Sequence, residues 1–142
     1  MALKNYAVVT LRASAATVGA SEQDAAVTLP ETAVSVYVVV DKTAENNIDN
    51  LLTVRLQCQI ASNWHDVAWD WSQKAATLTT AGDNTALVTR TPNILDALSD
   101  SLPTVVAYYD ALPTRVVRIV SVSSGTGVTH TFSVVAHFRA WR

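Results

Sequence analysis

Cysteine, glycine, proline and charge are all scarce in this chain of 142 residues, and each scarcity removes a class of protein. Cys58 is the single cysteine, so no internal disulfide can form and no cysteine cluster can hold a metal. The four glycines fall in turns or in the N-terminal loop, and none builds a phosphate-cradling loop. Charged residues make up 15% of the chain, against about 25% in an average soluble protein. No stretch approaches the roughly 18 apolar residues of a membrane helix, the start Met-Ala-Leu-Lys-Asn-Tyr has no apolar leader core, and no Asn-x-Ser/Thr acceptor occurs. These absences lead us to expect a protein made in a cytoplasm, with no membrane partner, and kept there or assembled there into something larger.

What is present is alternation. Apolar residues are 49% of the chain, and between Leu51 and Ala61 they alternate almost without error. Leu52, Val54, Leu56, Cys58 and Ile60 share one face of a strand, while Thr53, Arg55, Gln57 and Gln59 share the other. Phe132, Val134, Ala136, Phe138 and Ala140 repeat the pattern against Thr131, Ser133, His137 and Arg139, and Val34, Val36, Val38 and Val40 form a third stripe. A one-residue slip would turn each stripe outward, so the register is strongly specified. Strands are expected over 6–13, 34–41, 51–61, 65–71, 77–80, 86–90, 105–109, 115–122 and 129–139, with a turn at 81–84. The Ser123-Ser-Gly-Thr-Gly127 turn is expected to join the last two strands as a hairpin, and Ile94, Leu95 and Leu98 predict one short helix over 93–100. The fold class is therefore all-β, a single antiparallel β-sandwich domain over residues 1–142 with at most one short helix. Its expected core holds Val36, Val38, Val54, Leu56, Cys58, Phe132, Val134 and Phe138.

Catalytic and metal chemistry find little support. Ser62, His65 and Asp66 crowd into one turn and strand, with no nucleophile elbow and no oxyanion hole. His65, His130 and His137 lack metal-ligand spacing and read as outward polar positions. The polar run from Asp41 to Asn50 offers Asp41, Glu45 and Asp49 to Ca²⁺ but lacks the glycine and alternation of a calcium loop, so it reads as a solvated loop. No cofactor is expected, and the chain is read as a non-enzyme.

Two features bear on partners. Residues 111–142 carry four arginines and no acid, whereas residues 1–110 carry six cations against twelve acids, a formal +4 beside −6. These arginines can pair with acids on neighbouring strands; nucleic acid is not an expected partner, because Arg115 and Arg118 fall on opposite faces and no aromatic platform interleaves them. The second feature is the tryptophan cluster. Trp64, Trp69 and Trp71 with Asp66 and Asp70 offer a candidate ligand platform, since rings beside carboxylates suit sugars. Against this, Val67, Trp69 and Trp71 at period two read as an inward row, placed in the core or at a subunit interface.

The run from Leu52 to Val67, in which an alternating strand leads through a short turn to Trp-His-Asp-Val, resembles small structural proteins of tailed bacteriophages. Arg115-Val-Val-Arg-Ile-Val, a Gly/Thr turn and Thr131-Phe-Ser-Val-Val-Ala are similar to the closing stretch of those proteins. The turn departs from the pattern, with Ala61-Ser62-Asn63 where Asp-Gly is common. The resemblance implies a jelly-roll-like sandwich and a capsid decoration, or cement, protein. Such a protein sits on the virion surface as a homotrimer and binds the major capsid protein. The alternative is a carbohydrate-binding module or a receptor-binding module of a tail or baseplate. Arg139, Trp141 and Arg142 are the candidate subunit or shell contact, because an apolar ring at the chain end is costly to leave in water.

Overall fold

A computed structural model describes residues 3–30, 33–45, 52–69, 71–72, 95–98, 104–110, 112–123 and 129–141. Among them run eleven strands: β1 (Leu3–Ala16), β2 (Ser21–Gln23), β3 (Val27–Thr28), β4 (Ala33–Glu45), β5 (Leu52–Ile60), β6 (Asn63–Asp66), β7 (Trp71–Ser72), β8 (Leu95–Leu98), β9 (Thr104–Tyr109), β10 (Val116–Ser123) and β11 (His130–Trp141). The first sheet has the order β1-β11-β4-β9-β7, and the second β2-β10-β5-β6, with β3 beside β10 and β8 beside β5. Every pairing is antiparallel. The pairings nest: β1 with β11, β2 and β3 with β10, β4 with β9, and β5 with β6 and β8. A long hairpin rolled onto itself gives this order, and the fold is a jelly-roll β-sandwich.

The alternating stripes build the core between the sheets. β11 contributes Phe132, Val134, Ala136 and Phe138, β4 contributes Val36, Val38 and Val40, and β5 contributes Leu52, Val54, Leu56 and Cys58, all buried. Val117 and Ile119 of β10 and Tyr109 of β9 complete it. Each large side chain gains about 1.5–3 kcal/mol by leaving water, which pins the register of its strand. One end of this interior is polar. Arg12, Thr17, Lys42, Ser121, Ser123 and His130 are buried there, near the ends of β4 and β10 and the start of β11. The main-chain N–H of Thr17 donates to the His130 carbonyl at 2.9 Å, and the His130 N–H donates to Thr17 Oγ1 at 3.1 Å.

Several expectations need correction. Residues 95–98 are strand β8 and not a helix: Leu95 faces Val54 and Leu98 faces Leu52, with a register shift between. The three-residue spacing that mimics a helix face belongs to an irregular strand, in which four residues of β8 span three of β5. The last two strands form no hairpin, because β10 lies in the second sheet and β11 in the first. Both bury an apolar stripe, and the sandwich needs one on each side of the core. The expected strand 65–71 is broken; β6 ends at Asp66, and Trp71 belongs to the first sheet. Val67 turns into the core there, held by its N–H on the Leu56 carbonyl at 3.0 Å. Asp41–Glu45 are the end of β4 rather than the start of a loop, since β11 pairs with them as far as Glu45. His130 is fully buried and not outward, as the even-numbered parity of β11 dictates. The expected strands 77–80 and 86–90, the turn 81–84 and Asp49 lie outside the described residues.

Candidate functional site

With both inner faces committed to the core, contacts with other molecules fall to the outer faces and the edges. The outer face of the first sheet carries an apolar and aromatic band, flanked by the polar positions Ser35, Asp41 and Ser133. Register aligns Val8, His137, Tyr37 and Tyr108 in one row over four strands, and the backbone of Trp71 pairs with Tyr108 on the fifth. The Tyr37 and Tyr108 rings meet at 4.8 Å between centroids, tilted by 41°. Tyr108 donates its hydroxyl to Asp110 Oδ1 at 2.9 Å, and this bond to a carboxylate raises the Tyr108 pKa. The next row is Thr10, Val135, Val39 and Val106. Val8 is 58% exposed, and Tyr37, Val39, Val106, Tyr108 and Val135 are half-buried. Lone surface valines need no explanation, but a continuous apolar and aromatic face does.

The outer face of the second sheet is polar and networked. Arg118, Gln57 and Asp66 are cross-strand neighbours on β10, β5 and β6. Arg118 lies over the Trp64 ring at 4.3 Å from its centroid, donates Nε–H to Gln57 Oε1 at 2.8 Å and donates through Nη1 to Gln23 Oε1 at 3.1 Å. Gln57 Nε2 donates to Asp66 Oδ1 at 2.8 Å, and Arg55 Nη1 reaches Asp66 Oδ2 at 3.3 Å. The tight turn between β5 and β6 sets this edge: Ile60 pairs with Asn63, and Ala61 and Ser62 between them have φ of 49° and 69°. Positive φ at both central residues is the type I′ arrangement that suits the twist of a two-residue hairpin.

Between the edges of the two sheets lies an open cleft of about 590 Å³ beside Arg12, Val18, Glu22 and Asp24. Arg12 stacks over Phe132 at 4.2 Å, and its Nη1 pairs with Glu22 Oε2 at 3.1 Å and Asp24 Oδ1 at 2.6 Å. Glu22 also accepts the Val18 N–H. Burial raises the Asp24 pKa; the loss of water outweighs the opposing effect of the guanidinium. The group clamps β1 of one sheet to β2 of the other.

The structure brings together Trp64 and Asp66 on the second sheet. Trp69 is partly buried against the core, and Trp71 sits on β7 in the first sheet. Asp70 and Arg142, and the side chains of Trp71, Arg139 and Trp141, lie outside the described residues. The backbone of the chain end is tied down, with Trp141 facing Leu3. Ser62 sits in the turn, His65 is exposed at one edge, His137 lies on the outer face of the first sheet and His130 is buried, so neither the triad nor the three-histidine set converges. Among the described residues no group of three or more His, Cys, Asp or Glu is placed to hold a metal ion.

Sequence reading missed the apolar outer face and the Arg118 network. A signal for the first was available: Tyr37, Val39 and Val135 are apolar at positions where a strand with one solvated face carries polar residues. Comparison of the chain with protein-family models, with curated proteins and with solved structures returned no match.

Proposed function

We propose that this chain is a non-enzymatic structural protein of a phage virion, a decoration protein that lies on the outside of the head. It reinforces the head by self-association and by contact with the major capsid protein. The observation that carries this reading is the outer face of the first sheet, where Tyr37, Tyr108, Val39, Val135 and Val106 form an apolar area with little charge. Enrichment in tyrosine and depletion of charge mark the centre of a protein contact. The jelly-roll sandwich and the low overall charge agree with it. Contacts made only in the assembled state stabilise that state by linkage, which is how a cement protein strengthens a shell.

Sedimentation equilibrium across micromolar concentrations tests the self-association. The wild-type chain should sediment as a closed oligomer, expected to be a trimer, and Val39→Glu should yield monomers that keep the wild-type circular dichroism spectrum. A wild-type chain that stays monomeric at 100 µM would remove the support. A major capsid protein gene beside this one agrees with a place on the head, whereas tail-fibre genes as neighbours would move it to the tail.

A further inference from the structure

The second sheet carries a different kind of surface, and it does not depend on the assembly proposed above. Arg118 has a surplus of charge and of donors. A guanidinium offers five N–H donors. Its partners here are the Gln57 and Gln23 amide oxygens and the Trp64 ring, none of them an anion. Two donors are used, and among the described residues the other three meet no acceptor. Asp66, a carboxylate on this face, accepts from Gln57 and pairs with Arg55. The guanidinium is also fixed in place. Two glutamine oxygens and an indole hold it flat, and the half-exposed Gln59 lies opposite Trp64. A planar donor fork held in one orientation matches a carboxylate through two parallel bonds. Amides and an indole around it suit the hydroxyls and the apolar face of a sugar ring.

We propose that Trp64, Arg118, Gln23, Gln57 and Gln59 form a binding site for a carboxylate-bearing saccharide. The Arg118 fork takes the acid group, Gln59 and the amide nitrogen of Gln23 take hydroxyls, and the indole edge covers the ring. Gln57 is a positioning residue, since it orients Arg118 and is itself fixed by Asp66. A site this open and small should bind a monosaccharide in the millimolar range, and gain in affinity when several copies are displayed together.

The experiment is a heteronuclear NMR titration of the whole chain with the methyl glycosides of glucuronic acid and N-acetylneuraminic acid, their carboxyl methyl esters, and methyl galactoside. Saturable shifts at the Trp64 indole N–H and at the amides of β5 and β10, with the acids at least about tenfold tighter than their esters, are expected from one lost charge-assisted pair. Arg118→Lys keeps the charge and loses the fork, and should weaken the acids by about tenfold or more with an unchanged melting temperature. Gln57→Leu should weaken them less. Equal binding of acids and esters, full binding by Arg118→Lys, shifts confined to other parts of the chain, or no shift with any sugar at 20 mM would each overturn the proposal.

Discussion

Replacing Ala61-Ser62 by Asn-Gly should stabilise the protein, and the structure says by how much. Both residues hold positive φ, 49° and 69°, in the turn that closes β5 on β6. A side chain beyond Cβ-free glycine in this region costs roughly 1–2 kcal/mol per residue through the clash with its own carbonyl. Asparagine relieves part of that cost through local hydrogen bonding, and glycine removes it while adding about 0.5–1 kcal/mol of unfolded-chain entropy. The net gain is therefore about 1–1.5 kcal/mol for the pair. For a chain of 142 residues it corresponds to a rise of roughly 3–5 °C in melting temperature. Urea unfolding followed by tryptophan fluorescence provides the assay. The midpoint should rise with no change in slope, since the surface exposed on unfolding is unaltered. Ala61→Val, which puts a β-branched side chain at φ 49°, should move the midpoint the other way. If Asn-Gly leaves the midpoint unchanged or lowers it, the turn is not the source of strain that its backbone angles describe.

Further outcomes follow from the interior. The Tyr109 hydroxyl is buried with no partner among the described residues, and burial raises its pKa, so Tyr109→Phe should be neutral or stabilising by up to about 1 kcal/mol; a loss above that in thermal melts would reveal a partner for the hydroxyl. Cys58 is fully buried with its thiol pKa raised by desolvation, so a thiol reagent at pH 8 should label it only as fast as the protein opens, and Cys58→Asp should cost about 3–5 kcal/mol; immediate labelling of the folded chain would contradict the inward assignment. Asp24 has a folded-state pKa above 3.8, so the folded state binds its proton more tightly than the unfolded one. Stability relative to an Asp24→Asn variant should rise as pH falls through that raised value and level off below 3.8; a relative loss on acidification, measured by urea midpoints at pH 7 and pH 4, would show that the Arg12 pair outweighs desolvation.

The legible part of this fold is the part fixed by single-strand alternation. Leu52 to Cys58 and Phe132 to Phe138 specify their own inward faces, because one covered side leaves a period of two in the sequence, whereas Ile60, expected inward by the same parity, is exposed at the end of its strand. What alternation cannot carry is the identity of the neighbour. Nothing local tells β10 and β11 that they belong to different sheets, and a Gly-rich connection serves an arch across the core as well as a hairpin. The bulge at β8 disguised a strand by shifting its phase, and short β2 and β3 are visible only as partners of β10. At the second-sheet surface Trp64 and Asp66 were readable as neighbours on one strand face. Arg118 was not, since it comes from a segment 54 residues further on and joins them only through antiparallel pairing.

The position of β11 has a consequence for how the protein is made. It lies between β1 and β4 in the first sheet, although it follows every other described strand in the sequence. Until residues 130–141 leave the ribosome, β1 has no neighbour among the described strands and β4 has one free side, so the first sheet cannot close before they do. The second sheet has the same dependence on β10, and among the described strands only β5 and β6 can pair at once across a two-residue turn. Folding should thus begin at that hairpin and finish late, in the slow regime of chains whose partners are distant in sequence. An incomplete chain would display open edges and the apolar stripe of β4 to its neighbours. A protein truncated before His130 should accumulate as aggregate, whereas one cut after Trp141 should fold.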